Sequence, residues 1–213
     1  MIEANSRWYE HGPPPVPFPS DAYSLDQHLT IAEIFGARHL NLIAPIASLA
    51  SVDSLTEQFA TTCDRCADAG VAAHLEFIPW PPVDSLRAAW NLVRAADRPN
   101  GGIMFDTWHF FRGAPDLALL ATIPGERIFS LQLSDGAPDI KESLVKDTFR
   151  HRLLPGDGVF DLSAVVRTLQ ATGGLRLGGP EVLSTELDAL EPAEAARLAA
   201  EAYDRVGVST ATD

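Results

Sequence analysis

Apolar residues along this chain fall into two kinds of run that alternate. Short, β-prone stretches occupy residues 39–44, 71–78, 102–107, 128–133 and 175–183. Between them the apolar positions recur at helical spacing, over residues 52–69, 84–96, 115–121, 162–171 and 191–206. A further helix is expected from Ser20 or Asp21 to Phe35, stopped by Gly36. Asp53, Asp84 and Asp161 stand where N-caps belong, and Gly70 closes one helix just ahead of a strand. The strands begin 26 to 32 residues apart except for the last interval of 47. About 30 residues is what one strand and its returning helix occupy. The long interval therefore carries an inserted loop, residues 136–160.

Repeated strand–helix units give a parallel sheet with right-handed crossovers, either doubly wound or closed into a (β/α)8 barrel. No glycine-rich phosphate turn follows any of these strands, which removes the main mark of the nucleotide-binding sheets. Polar residues instead gather at successive strand ends: Glu76, Asp106, Gln132 with Asp135, and Glu181. In a barrel those ends converge on one mouth, where catalysis is found; an open sheet would spread them along an edge. The pattern favours the barrel.

Charge narrows the classes of function. Sixteen Lys and Arg against 29 Asp and Glu leave a net charge of −13. Nucleic-acid binding rests on clustered cations, so such a partner is not expected. Two cysteines, Cys63 and Cys66, make no disulfide framework and sit inside a helical run, which reads as buried core. Neither a leader-like N-terminus nor an apolar run of membrane-spanning length is present, and a soluble, cytoplasmic chain with no membrane partner is expected. Residues 11–20 hold five prolines and read as an extended loop or a polyproline ligand.

The strand ends carry the chemistry. Three carboxylates and an amide on four successive strands would repel or go unsatisfied unless something neutralised them. A divalent cation does so, and oxygen donors suit Mg²⁺ or Mn²⁺ better than Zn²⁺. His109 follows Asp106 by three residues and is a substrate-facing candidate or simply its neighbour's partner. His74 precedes Glu76 by two residues, so both point to one face, as a substrate contact or a satisfied core histidine. Asp135, three residues beyond Gln132, is a candidate supporting partner or ligand. Arg152 in the inserted loop is a candidate for holding a substrate hydroxyl, carboxylate or phosphate, and Trp108 for lining the pocket.

Five runs in order, Leu75-Glu76-Phe77-Ile78-Pro79, Asp106-Thr107-Trp108-His109, Leu131-Gln132-Leu133-Ser134-Asp135, Leu154-Pro155-Gly156-Asp157-Gly158 and Pro180-Glu181-Val182-Leu183, resemble the sugar phosphate isomerase/epimerase family with its xylose isomerase-like TIM barrel. The resemblance spans residues 21–206. It implies a divalent metal held by Glu76, Asp106, Gln132 and Glu181, with Mg or Mn foremost and Co or Zn admissible. It also implies acid/base roles for Glu76 and Glu181 on a small polyhydroxy carbonyl substrate, by proton abstraction next to a carbonyl gripped by the metal. Many family members carry histidine where Gln132 stands; glutamine there is shared with 3-dehydroshikimate dehydratases, which makes that lyase the alternative activity. The family's barrel has eight units and about five are visible here, so an N-terminally incomplete barrel is expected. Residues 1–20 would be a remnant strand with a proline-rich loop and 21–213 the partial catalytic domain. A start set too late, a truncation leaving a non-catalytic remnant, or a second copy covering the open barrel edges would each account for it.

Overall fold

The computed structural model describes residues 23–44 and 50–207, together with the backbone of Ile2–Asn5. The proline-rich segment and the expected helix start at Ser20 or Asp21 lie outside the described residues. The chain divides into two compact units, one of Met1–Met104 with Gly113–Pro115, the other of Phe105–Arg112 with Asp116–Asp213.

The first unit is a run of parallel strands with a helix between each later pair. Strand β1 (Ile2–Asn5) is followed by α1 (Leu25–Phe35), β2 (His39–Ile43), α2 (Val52–Asp68), β3 (Ala72–Glu76) and α3 (Leu86–Ala96). The run ends in β4 (Gly101–Asp106), whose last two residues belong to the second unit. β1 pairs with β2 in parallel register, Ile2 opposite Leu40. β2 pairs with β3, Asn41 opposite His74 and Ile43 opposite Glu76, and β3 with β4, Glu76 opposite Met104.

Local chemistry sets the helix ends. Ser24 caps α1 in a capping box with Gln27, and Gly36 closes it in the left-handed conformation at φ 62°. The expected aspartate caps of the next two helices give way to serines. Ser51 caps α2 and Ser85 caps α3, each accepting from the backbone three residues on. Both serines lie one or two residues from the expected aspartate, and either residue type performs the task. Phe59, Cys63 and Cys66 on α2 are buried, and the apolar surroundings push the Cys66 thiol up to about 11. A side chain at Gly101 would meet Cys63 Sγ at 3.1 Å and Phe59 at 3.3 Å, so glycine lets α2 close on the start of β4.

The second unit contains α4 (Thr107–Arg112), α5 (Leu117–Leu120), β5 (Ile128–Leu133), α6 (Leu144–Arg150), α7 (Leu162–Thr172), β6 (Gly178–Pro180), α8 (Thr185–Asp188) and α9 (Pro192–Arg205). β5 and β6 pair in parallel, Leu131 opposite Gly178 and Leu133 opposite Pro180. Two expectations are corrected here. The strand expected over residues 175–183 contracts to three residues, because Gly178, Gly179 and Pro180 bring no β-branched or aromatic side chain. The inserted loop is not all loop: α6 forms inside it, capped by Ser143, which accepts from Lys146 N. Asp161 caps α7 as expected, and Gly173 ends it at φ 74°.

Candidate active site

In the first unit, the polar candidates lie on β2 and β3 in alternation with leucine and alanine. His39 and Asn41 share one face of β2, and His74 and Glu76 one face of β3. Their hydrogen bonds run one inward position beyond the register partner. His39 Nδ1 lies 2.6 Å from His74 Nε2, and Asn41 Nδ2 donates to Glu76 Oε2 at 2.5 Å. His74 is fully buried. Burial, then the neighbouring His39, lowers its pKa to about 3, so at neutral pH the ring is uncharged and the pair shares a neutral N–H···N bond. Burial lowers His39 as well.

The second unit gathers the other candidates around one guanidinium. β4 ends at Asp106, the first turn of α4 carries Trp108 and His109, β5 carries Gln132, and Glu181 follows β6. Asp106 is fully buried. Its Oδ1 accepts from the backbone N–H of Trp108 at 2.6 Å and of His109 at 3.2 Å, so it caps α4 from within. Its Oδ2 accepts from Arg152 Nη1 at 2.9 Å and lies 3.6 Å from His109 Nε2, beyond hydrogen-bond range. The same Nη1 donates to Glu181 Oε2 at 2.8 Å. Gln132 Nε2 donates to the other oxygen, Glu181 Oε1, at 2.8 Å. Burial raises the Asp106 carboxyl, but Arg152, helped by His109, outweighs that effect and the group settles at about 2.

Arg152 is as buried as the carboxylate it holds, at 2 % exposure. Its Nε donates to Thr148 O at 3.0 Å, and the guanidinium carbon sits 5.3 Å from the centre of the Trp108 ring. Trp108 is itself buried, so its contact is with this arginine and with Arg112, whose guanidinium carbon lies 5.7 Å from the same ring.

Arg112 and Asp147 were not among the sequence candidates. Arg112 Nε donates to Asp147 Oδ2 at 3.0 Å and Nη2 to Ala137 O at 2.8 Å, while Asp147 Oδ1 accepts from Lys141 N at 3.1 Å. This buried ion pair anchors the inserted loop beneath Trp108. Asp135, for which a ligand role stood open, has another task. Oδ1 accepts from the backbone of Gly136 and Phe160, and Oδ2 from Gly156, so the carboxylate ties both ends of the loop to β5. Gly158 runs so close that an added Cβ would stand 2.3 Å from Asp135 Oδ1. His39 and Asn41 were missed too; polar residues at alternate positions of an apolar strand were the available signal.

The arrangement in the second unit brings two carboxylates onto one shared cation, with an amide and an imidazole alongside. Oxygen donors already disposed about a single positive nitrogen match the chemistry of a divalent metal site.

The chain belongs to the xylose isomerase-like TIM barrel family, whose model matches residues 22–205. It is 32% identical over 120 residues to a 3-dehydroshikimate dehydratase of Pseudomonas aeruginosa, covering 56% of this chain and 19% of that protein. It is 30% identical over 153 residues to an inosose isomerase of Bacillus licheniformis, covering 71% of this chain and 52% of that one. The chain thus spans about half the length of that isomerase and a fifth of the dehydratase. Among solved structures, the IolI protein with a bound zinc atom superimposes with a TM-score of 0.78 at 20% identity, covering 89% of this chain and 69% of that one. An L-ribulose 3-epimerase superimposes with a TM-score of 0.66 at 17% identity, covering 86% of this chain and 65% of that one. These structural likenesses establish the fold. No helix among the described residues is long and apolar enough to cross a membrane.

Proposed function

We propose that the chain is the catalytic part of a divalent-metal-dependent isomerase or epimerase acting on a small polyhydroxy carbonyl compound such as an inosose. The observation that carries this reading is the pair Asp106 Oδ2 and Glu181 Oε2, buried or half-buried at two strand ends and facing one cationic nitrogen. The inosose isomerases among the relatives support the substrate class. Asp106, Gln132 and Glu181, with Glu76 at the end of β3 by family resemblance, are the residues that would hold the metal, with Mg²⁺ or Mn²⁺ favoured by the oxygen donors. When bound, the metal supplies Lewis-acid polarisation of a substrate carbonyl and so acidifies the neighbouring C–H.

The side chains then divide the work. Glu181 removes or returns the proton at that carbon, and Glu76 serves the opposite direction. Gln132 Nε2 holds Glu181 Oε1 and so orients that carboxylate. His109, beside Asp106, donates to a substrate oxygen, and Arg152 holds a second oxygen from the loop side. Trp108 fixes the plane of Arg152, and His74 supports the inner face of its own unit through His39.

A dehydratase reading draws support from the match to the Pseudomonas aeruginosa dehydratase. It uses the same proton abstraction and then expels hydroxide. Incubation of the chain with Mn²⁺ and either scyllo-inosose-type ketones or 3-dehydroshikimate separates the two. The isomerase reading predicts a new ketone isomer by NMR. The dehydratase reading predicts an aromatic ultraviolet absorption from dehydroshikimate. Neither product, from a chain that folds and binds Mn²⁺, would contradict both.

A further inference from the structure

One nitrogen, Arg152 Nη1, donates to both Asp106 and Glu181, two of the residues that would hold the metal. It lies 2.9 Å from Asp106 Oδ2 and 2.8 Å from Glu181 Oε2, with the Glu181 backbone carbonyl 3.4 Å away. A nitrogen with two hydrogens can satisfy two acceptors at once, and here it does so for the two acids the metal reading assigns as ligands. Without a cation, two such carboxylates held close and largely out of water would repel one another. The arginine prevents this. Its burial and its bond to Thr148 O show a side chain built into the loop rather than one resting on a surface.

We propose that Arg152 is an internal counter-cation that keeps Asp106 and Glu181 paired before the metal arrives, and that the metal displaces it from both oxygens. The inference rests on the metal reading above and adds an order of events: metal first, then an arginine released to grip substrate. Two like charges cannot share one pair of oxygens at such range without a large Coulomb penalty, even at an effective dielectric constant of about 20. Arg152 also borders a cavity of about 290 Å³ whose lining includes Leu154, Asp157, Val182, Glu186 and Leu187. The loop can hold the guanidinium near either partner set because its anchors are elsewhere, at Arg112–Asp147 and at Asp135.

Calorimetric titration of the full chain with Mn²⁺, comparing wild type and Arg152→Gln, tests this, with melting temperatures taken before and after metal. A counter-cation predicts that the metal-free variant melts several degrees lower. It also predicts that the variant binds Mn²⁺ about tenfold or more tightly, because the competing charge is gone. The stabilisation on adding Mn²⁺ should then be larger in the variant than in wild type. Equal or weaker Mn²⁺ binding by a folded Arg152→Gln would overturn the proposal, since the arginine would then stay on the carboxylates beside the metal. If Arg152→Gln does not fold, the displacement is read in the unaltered chain. The protected guanidinium resonances of Arg152, assigned by loss in Arg152→Lys, should shift or broaden away on saturation with Mg²⁺; resonances unchanged at saturation would overturn the proposal. Absence of Mn²⁺ uptake by wild type and variant alike overturns the metal reading itself and the proposal with it.

Discussion

The two units keep polar groups inside by different means. In the first, the buried polar side chains sit on strands and bond across the ladder, His39 to His74 and Asn41 to Glu76, with the histidines neutral. In the second, acids and arginines pair directly and lean on loops: Arg152 on Asp106 and Glu181, Arg112 on Asp147. A neutral pair on a regular strand needs only the correct register. A buried ion pair needs register, a loop anchored at both ends and further hydrogen bonds, because a charge left alone out of water is costly. The second unit is accordingly where single substitutions should do most harm.

Asp147→Ala should show the largest effect. It strands Arg112 in a buried setting and frees the loop, at a cost of about 3–5 kcal/mol, read by urea unfolding. A loss below about 1 kcal/mol would place the pair among weak, solvent-screened bridges and blur the contrast between the units. Gly158→Ala comes next. The new methyl group collides with Asp135 and with the Gly136 carbonyl at 2.4 Å, and a cost of about 1–3 kcal/mol is expected. Retention of wild-type stability would mean that the Asp135 staple gives way cheaply.

The histidine pair gives the first unit a pH dependence of its own. The His74 pKa falls from 6.5 to about 3 on folding, so the unfolded chain binds the extra proton below pH 6.5. Stability is fully present above that value and is lost as pH falls from 6.5 towards 3. Between pH 7 and pH 5 the loss is about 2 kcal/mol, and His74→Gln should flatten that slope in chemical denaturation at a series of pH values. An unchanged slope would assign the acid sensitivity to other groups. The smallest effects belong to the helix caps. Ser85→Ala on α3 and Asp161→Ala on α7 each remove one cap bond, worth about 1 kcal/mol, one in either unit. Equal losses would show that the units differ in their buried polar groups and not in helix ends.

What the sequence showed of the fold follows the same division. Strand and helix positions in the first unit were legible because apolar period and polar alternation coincide there, and each predicted strand is present within one or two residues at its ends. The second unit was harder. α4 follows β4 with no turn residue to announce it, since Asp106 is both the last strand residue and the acceptor for the first helical N–H groups. α6 hid in a segment read as loop because it is short and mostly solvated. β6 was overextended because glycine and proline break the β-pattern inside an apolar stretch. Among the candidates, Asp106, Gln132 and Glu181 were singled out by their places at strand ends and His109 by its spacing from Asp106. Arg152 was named as a substrate contact, and its present partners are the two acids. Nothing in the local pattern around Arg112 or Asp147 distinguishes them from surface charges, because their pairing is made 35 residues apart.

The central claim is that Asp106 and Glu181 form one cation site. Calorimetric titration of wild type, Asp106→Asn and Glu181→Gln with Mn²⁺ tests it most directly. Saturable binding at one site in the wild type, lost or weakened at least a hundredfold in each folded variant, is the expected result. Undiminished binding in either variant, or none in the wild type, would contradict it.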